Sequence, residues 1–130
     1  MTKLEERYKA WSEASEKAFL KGDVDAQVSL WAEDCTRTAI DAFGDHHTIQ
    51  GREAIRISAE GWAKGFTNPK LLKNELLSAT EERGIGNADV RWTGSDGKEW
   101  ACNYIYMITL DEQGRCVSYT EWNVVKSREV

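Results

Sequence analysis

The sequence is short of proline, cysteine and histidine, and it has no cluster of basic residues. It contains one proline, three cysteines and two histidines, with 17 lysines and arginines against 22 aspartates and glutamates. The net charge of -5 argues against nucleic acid as a partner, because phosphate binding needs concentrated positive charge. No run of about 18 apolar residues is present, so no membrane-spanning segment is expected.

The cysteines and the charged first residues indicate the cellular compartment in which the protein is expected. Cys35, Cys102 and Cys116 lack the spacing of metal ligands, and their odd number favours reduced thiols over a disulfide framework. The start, MTKLEERYKA, carries no apolar segment of the signal-peptide kind. These features predict a cytoplasmic protein without a metal site, and nothing in the sequence suggests a cofactor.

Aromatic residues are the abundant feature. Six tryptophans, four tyrosines and three phenylalanines in 130 residues indicate bulky packing or an aromatic-lined cavity. The length fits one domain over residues 1–130, with enough chain for one hydrophobic core.

Helical patterns fill most of the first half of the chain. Apolar residues recur every three or four positions in LEERYKAWSEASEKAFLKG, which predicts a helix ended by Gly22. Asp23 is then placed to cap a second helix, DVDAQVSLWAED, with Trp31 on its inner side. GREAIRISAEGWAKGF predicts a third helix, with Trp62 on its apolar stripe.

Strand patterns begin at CTRTAI, which precedes the loop DAFGDHHTIQ, and dominate after Pro69. The single proline is predicted to mark the border between helix and sheet. Four further strands are expected, with SDGK and DEQGR as turns between the last three. The predicted class is α+β: one curved antiparallel sheet with helices on one face.

Three segments carry a family likeness. GDVDAQVSLWAEDC, GREAI and LDEQGRCVSYTEW, in this order, resemble the nuclear transport factor two-like superfamily, especially its SnoaL-like and ketosteroid isomerase branches. The resemblance covers nearly the whole chain. It implies a cone of cystatin-like topology, in which the bent sheet wraps around three helices and encloses a pocket. The fold hosts isomerases, dehydratases, cyclases, epoxide hydrolases and binding modules, so it does not define the function.

The resemblance also implies a strand register. It places Tyr106 where the isomerases carry their pocket acid, and alternation then assigns the other side chains to one face or the other. The side chains expected in the pocket are Asp89, Arg91, Tyr104, Tyr106, Ile108, Tyr119, Glu121 and Asn123. Those expected on the outer face are Trp92, Asn103, Ile105, Met107, Trp122 and Val124. Because this outer face is too apolar for water, we expect it to form a homodimer.

Asp41 is one candidate general base. DAFG, residues 41–44, is similar to the Asp-x-x-Gly segment in which ketosteroid isomerases hold their base, while Ser15 stands at the position of their oxyanion tyrosine. Desolvation in an apolar pocket would make Asp41 a better base, with Tyr106 donating to an enolate. Alternatively, Asp41 accepts backbone hydrogen bonds in a turn.

Glu121 is the other candidate. Its position resembles that of an aspartate in limonene epoxide hydrolases, which use an Arg and Asp pair on a neighbouring strand. Arg91 between Asp89 and Glu121 would keep both carboxylates ionised and able to activate water. The alternative is a structural ion-pair ladder across two strands.

The two histidines, His46 and His47, are adjacent in the predicted loop, and we expect them at the surface. The sequence thus favours a cofactor-free isomerase or cyclase that acts on a small apolar organic ligand. Epoxide hydrolase-like water activation and a non-catalytic binding or dimerisation module remain alternatives. Substrate contacts are expected from Ser15, Trp62, Tyr104, Tyr119 and Asn123.

Overall fold

The computed structural model describes residues 2–129, which form three helices and six strands. In chain order these are α1 Lys3–Lys21, α2 Val24–Ser29, β1 Trp31–Ile40, β2 His46–Gln50, α3 Arg52–Gly65, β3 Thr67–Ala79, β4 Gly84–Thr93, β5 Glu99–Leu110 and β6 Cys116–Arg128. None of the helices in this range is long and apolar enough to span a membrane. The predicted α+β class is confirmed.

The helix boundaries follow local capping. α1 ends at Gly22, whose φ of 64° is left-handed, as a helix-ending glycine requires. Asp23 caps α2 by accepting a hydrogen bond from the Ala26 amide at 3.1 Å. The second helix is shorter than predicted, because Trp31 begins β1 and pairs with Cys116 of β6. Sheet pairing therefore overrides the helical pattern of LWAED.

The sheet is mixed rather than wholly antiparallel, with strand order β2-β1-β6-β5-β4-β3. β1 and β6 run parallel, which the long chain between them permits, and the other neighbours are antiparallel. The segment predicted as one loop contains β2, in which Thr48 pairs with Thr38. Its β-branched Thr48 and Ile49 are typical of a strand.

Pro69 lies inside β3 rather than at a border before the four later strands. β3 is an edge strand, where a missing amide need not interrupt a ladder, and its pairing with β4 is irregular between Thr67 and Lys70.

The register of β5 against β6 is the predicted one. Tyr106 pairs with Glu121 and Tyr104 with Asn123, so these side chains share the concave face.

The predicted register of β4 is wrong by one residue. Asp89 pairs with Asn103 and Arg91 with Ala101, so Asp89 and Arg91 lie on the outer face. Trp92 lies on the concave face, where its ring stacks on that of Phe66 with centroids 4.3 Å apart. The loop between β4 and β5 spans residues 94–98, one more than SDGK, and a shift of one residue exchanges the two faces.

The core lies between the helices and the concave face. Two strand glycines make room for aromatic rings: a methyl group on Gly84 would lie 2.6 Å from the Tyr8 ring, and one on Gly86 would overlap Tyr106. Both tyrosines are buried in the central cluster. The bulky packing indicated by the composition is therefore built around α1 and the middle of the sheet.

Candidate functional site

A cavity of about 190 Å³ lies between the helices and the concave face of the sheet. Its wall is mainly aromatic and apolar, with a few polar groups among the rings. The apolar lining includes Trp11, Phe19, Trp31, Trp62, Phe66, Leu71, Val90, Trp92 and Cys102. Such a wall suits a small, largely apolar molecule.

Six of the residues predicted to lie in the pocket or to contact substrate line this cavity. They are Ser15, Trp62, Tyr104, Tyr106, Tyr119 and Glu121. Asn123 lies beside it and accepts a hydrogen bond from the Cys102 thiol at 3.3 Å. Two elements therefore supply most of the predicted polar groups: β5 gives Tyr104 and Tyr106, and β6 gives Tyr119 and Glu121.

Glu121 is the buried charge of the site. It is 7% exposed, and its carboxylate forms an ion pair with Arg37 of β1. The guanidinium of Arg37 lies over two rings, 5.0 Å from the centroid of Trp62 and 5.6 Å from that of Tyr119. The cation is thus fixed by a carboxylate and two π faces.

Sequence reasoning missed Arg37. The available signal was an arginine inside the segment CTRTAI, whose other residues carry no charge. Because Arg37 meets β6 through the parallel pairing of β1, no local pattern connects it with Glu121.

The predicted set of Asp89, Arg91 and Glu121 is not assembled. Arg91 forms an ion pair with Asp89 on the outer face, where their side chains are 29% and 25% exposed. Glu121 points to the opposite side of the sheet. Asp89 and Arg91 therefore form an ion pair within β4, and no ladder across two strands joins them to Glu121.

Asp41 does not lie in the cavity, where the general-base hypothesis requires it to be. Its Oδ1 accepts hydrogen bonds from the amides of Phe43 at 2.9 Å and Asp45 at 3.0 Å, in the turn between β1 and β2. These amides, that of Asp45 above all, and nearby His47 lower the pKa of Asp41. His46 and His47 are exposed, as predicted. Asp41 is a turn residue of a projecting hairpin.

A second polar cluster lies where α1 meets β3 and β5. Tyr106 donates a hydrogen bond to Asn74 Oδ1 at 2.6 Å and lies 3.1 Å from the Ser12 hydroxyl. The Asn74 amide nitrogen in turn donates to Ser12 and to Glu16. Asn74 thereby connects the expected Tyr106 with Glu16, which the sequence did not single out.

The phenols of the cavity are neutral donors. Burial raises the pKa of Tyr104, Tyr106 and Tyr119, and the negative charge of Glu121 raises those of Tyr104 and Tyr119 further. Within residues 2–129 the hydroxyls of Tyr104 and Tyr119 make no hydrogen bond, and the buried Trp31 Nε1 has no acceptor. The hydroxyls of Tyr104 and Tyr119 are therefore donors that a ligand oxygen in the cavity can use.

The described part of the chain contains no group of three or more His, Cys, Asp or Glu side chains arranged to hold a metal ion. What the site does offer is one carboxylate paired with arginine, neutral phenols and aromatic walls. This combination can bind a small molecule and move a proton.

No protein-family model and no curated protein sequence matches this chain. Solved structures resemble it over nearly its whole length. SalBIII, an epoxide hydrolase/cyclase-like enzyme in pyran ring formation of the polyether salinomycin, is 19% identical, with a TM-score of 0.76, covering 98% of this chain and 100% of SalBIII.

Two further structures are similar. A proposed isomerase from Bacillus subtilis is 17% identical, with a TM-score of 0.74, covering 91% of this chain and 88% of that one. Rv0760c from Mycobacterium tuberculosis is 14% identical, with a TM-score of 0.76, covering 98% and 99%. At such identities the likeness shows the fold alone. The chain has the nuclear transport factor two-like fold that the resemblance implied.

Proposed function

We propose that this protein is a cofactor-independent enzyme in which Glu121 acts as general base on a small, largely apolar molecule. The observation that carries the proposal is the buried Arg37–Glu121 pair in the wall of an aromatic cavity. A carboxylate fixed in this way can take a proton from water or from a substrate hydroxyl, whose oxygen then attacks an electrophilic carbon. Attack by water gives hydrolysis, and attack by an internal hydroxyl gives ring closure.

The location of the charges supports this assignment over the one through Asp41. Glu121 is the carboxylate of the predicted pair that reaches the cavity, whereas Asp41 lies in an exposed turn. SalBIII, which shares the fold, is described in terms of both epoxide and cyclase chemistry. We further propose a cytoplasmic location, which the unpaired thiols of Cys35, Cys102 and Cys116 support.

A second candidate function is isomerisation of a β,γ-unsaturated ketone. It is favoured by the neutral hydroxyls of Tyr104 and Tyr119, which are free to stabilise an enolate oxygen. Glu121 would be the base in this reaction as well. The two functions therefore differ in the reacting group of the substrate, which is an electrophilic carbon in the first and a C–H bond beside a carbonyl in the second. Glu121 is the proton acceptor in both.

Turnover of a small probe set tests the proposal. The probes are styrene oxide with water as nucleophile, an epoxy alcohol able to close a ring, and a β,γ-unsaturated cyclic ketone. We expect Glu121→Gln to slow the reaction that the wild type catalyses by on the order of 10²-fold or more, since the substitution keeps the size and removes the base.

Asp41→Asn is the matched control, because it neutralises a carboxylate outside the cavity and should leave turnover unchanged. Full activity of Glu121→Gln would refute the assignment of the base. If the wild type converts none of the three probes, the catalytic proposal is wrong for these chemistries, and the cavity is better explained as a binding site.

A further inference from the structure

Glu16 is a second carboxyl group in the same cavity, and the proposed function does not yet use it. It comes from α1, whereas Glu121 comes from β6, and both side chains line the cavity wall. Glu16 has no cationic partner within salt-bridge distance among residues 2–129. The two carboxyl groups of one cavity therefore have different surroundings, and Arg37 is paired with Glu121.

Asn74 fixes the orientation of Glu16. The Asn74 amide nitrogen donates to Glu16 Oε1, while its carbonyl oxygen accepts from Tyr106. The orientation of the amide is thus set by the phenol on its other side. Because Oε1 accepts this bond, the proton of a neutral Glu16 belongs on Oε2, which has no hydrogen-bond partner in the described chain.

Glu16 also borders a surface groove between α1 and β3. The groove and the cavity share Ser12, Glu16, Leu71, Asn74 and Tyr106 as a common wall. Glu16 therefore has the cavity on one side and a route to solvent on the other. A carboxyl group in this place can give a proton inward and regain one from outside.

The charges around Glu16 favour its neutral form. Burial raises the pKa of Glu16, and repulsion from Glu13 raises it further. The lysine of the groove, Lys9, is 4.0 Å from Glu13, to which it is paired. Glu5 on α1 and Glu75 on β3 add negative charge to the groove, with Glu75 paired to Lys73 at 3.3 Å. Tyr106, which faces Glu16 from β5, is neutral.

We propose that Glu16 is the proton donor of this site and that the substrate is a strained cyclic ether, such as an epoxide, opened between Glu16 and Glu121. This inference rests on the proposed function and names its substrate class. Breaking a carbon–oxygen bond requires a proton for the leaving oxygen. In a double-bond shift beside a carbonyl, the base returns the proton that it removed, and the carbonyl oxygen needs only a hydrogen-bond donor.

The proton balance closes within the site. The Glu121 carboxylate takes the proton of the attacking O–H, whose oxygen forms a bond to one ring carbon. The bond from that carbon to the ether oxygen breaks, and its electron pair stays on the oxygen. This oxygen receives the proton of Glu16. Glu121 ends protonated and Glu16 ionised, and exchange with solvent restores both without any oxidant or reductant.

Styrene oxide is the test probe, with phenylethanediol measured as the product. We expect Glu16→Gln to lower kcat/KM by on the order of 10²-fold, because glutamine keeps the acceptor for Asn74 but has no acidic proton. The wild-type rate should fall as the pH rises through the pKa of Glu16, and this alkaline limb should be absent in Glu16→Gln. Glu6→Gln, an exposed glutamate on the same helix, should behave as wild type.

The outcomes separate this inference from the proposed function. Loss of turnover in Glu121→Gln together with full turnover in Glu16→Gln overturns the role of Glu16 and leaves the base in place. A wild type that isomerises the β,γ-unsaturated ketone but does not open styrene oxide overturns the cyclic-ether assignment alone. If no probe reacts, both proposals fail.

Infrared spectroscopy gives a second measurement that does not depend on turnover. Because the pKa of Glu16 is raised, the C=O stretch of a protonated carboxyl group should appear in the wild type on acidification before those of the exposed carboxyl groups. This first band should be absent from Glu16→Gln and retained in Glu6→Gln. Absence of this band in the wild type overturns the proposal. Circular dichroism of each variant verifies that the helices and sheet are retained.

Discussion

Arg37 and Glu121 form a buried ion pair that joins the parallel strands β1 and β6. Their side chains are 15% and 9% exposed, and the guanidinium also lies against the Trp62 and Tyr119 rings. A buried pair of this kind adds little net stability, because both charges lose their hydration. Removing one partner is far more harmful, because the remaining charge is left without compensation in the apolar wall.

We therefore expect Arg37→Met to lower the free energy of unfolding by about 3–5 kcal/mol. The double variant Arg37→Met/Glu121→Leu should recover much of this loss, because no buried charge remains. Urea denaturation of both variants measures the difference.

Arg91→Met is the matched control for this experiment. Arg91 has a similar ion pair with Asp89, but on the outer face and more exposed, so its loss should lower stability by only about 0–1 kcal/mol. Equal losses for Arg37→Met and Arg91→Met would contradict the distinction between the two pairs.

The sequence predicted the fold class, α1 and the inward side chains of β5 and β6. These predictions depend on local signals and on a resemblance that spans the chain: the helical period before Gly22, the turn DEQGR and alternation within each strand. The pairing of Tyr106 with Glu121 follows from them. The fold class and the concave sides of β5 and β6 were therefore accessible before the structure.

The composition of the site was less accessible, for physical reasons that differ from residue to residue. Arg37 reaches Glu121 through a parallel pairing between segments far apart in sequence. Asp89 and Arg91 were assigned to the wrong face because one additional loop residue inverts a strand. Asp41 matches a motif, but the turn that holds it projects into solvent. Glu16 could not be singled out from the sequence, because it is identified by its contact with Asn74 of β3, a residue far away along the chain.

The ionised carboxylate of Asp41 should stabilise the folded protein at neutral pH, and this contribution should be lost at acidic pH. Hydrogen bonds from the Asp45 and Phe43 amides lower its pKa in the folded state. A lowered folded-state pKa gives stability that is present above the unfolded pKa of about 3.9 and is lost as the pH falls through the folded-state pKa.

Asp41→Ala should consequently be less stable than wild type near neutral pH, and the difference should shrink as both proteins are acidified. Thermal unfolding across this pH range measures it. A stability difference that stays constant down to the most acidic pH would show that the ionised carboxylate of Asp41 makes no contribution.

Gly86→Ala should disturb the Tyr106 end of the site. A methyl group on Gly86 would overlap the Tyr106 ring, which is buried and hydrogen-bonded to Asn74. Overpacking of this kind typically lowers stability by about 1–3 kcal/mol. Gly61→Ala is the control, because a methyl there meets open space within α3 and should raise stability by about 0.5–1 kcal/mol. Denaturant unfolding should give opposite signs for the two variants, and equal signs would argue against a tight contact at Gly86.

The outer face of the sheet should form a homodimer. Ile105 and Trp122 are directly opposite each other on β5 and β6, and they are 36% and 41% exposed, with Val124 nearby at 51%. An apolar patch on a sheet face is typical of a protein–protein contact, and buried tryptophans often dominate the energy of such contacts.

Trp122→Glu tests this interface in a form that should still fold, because Trp122 is part-exposed in the single chain. Losing an interface tryptophan and burying a carboxylate should weaken association by at least about 2 kcal/mol, or roughly thirty-fold in Kd. Ile57→Glu, at an apolar residue exposed on α3, should leave association unchanged. Sedimentation equilibrium over a concentration series measures all three proteins. A wild type that stays monomeric at tens of micromolar, or a Trp122→Glu variant that dimerises as tightly as Ile57→Glu, would show that the sheet face serves another purpose.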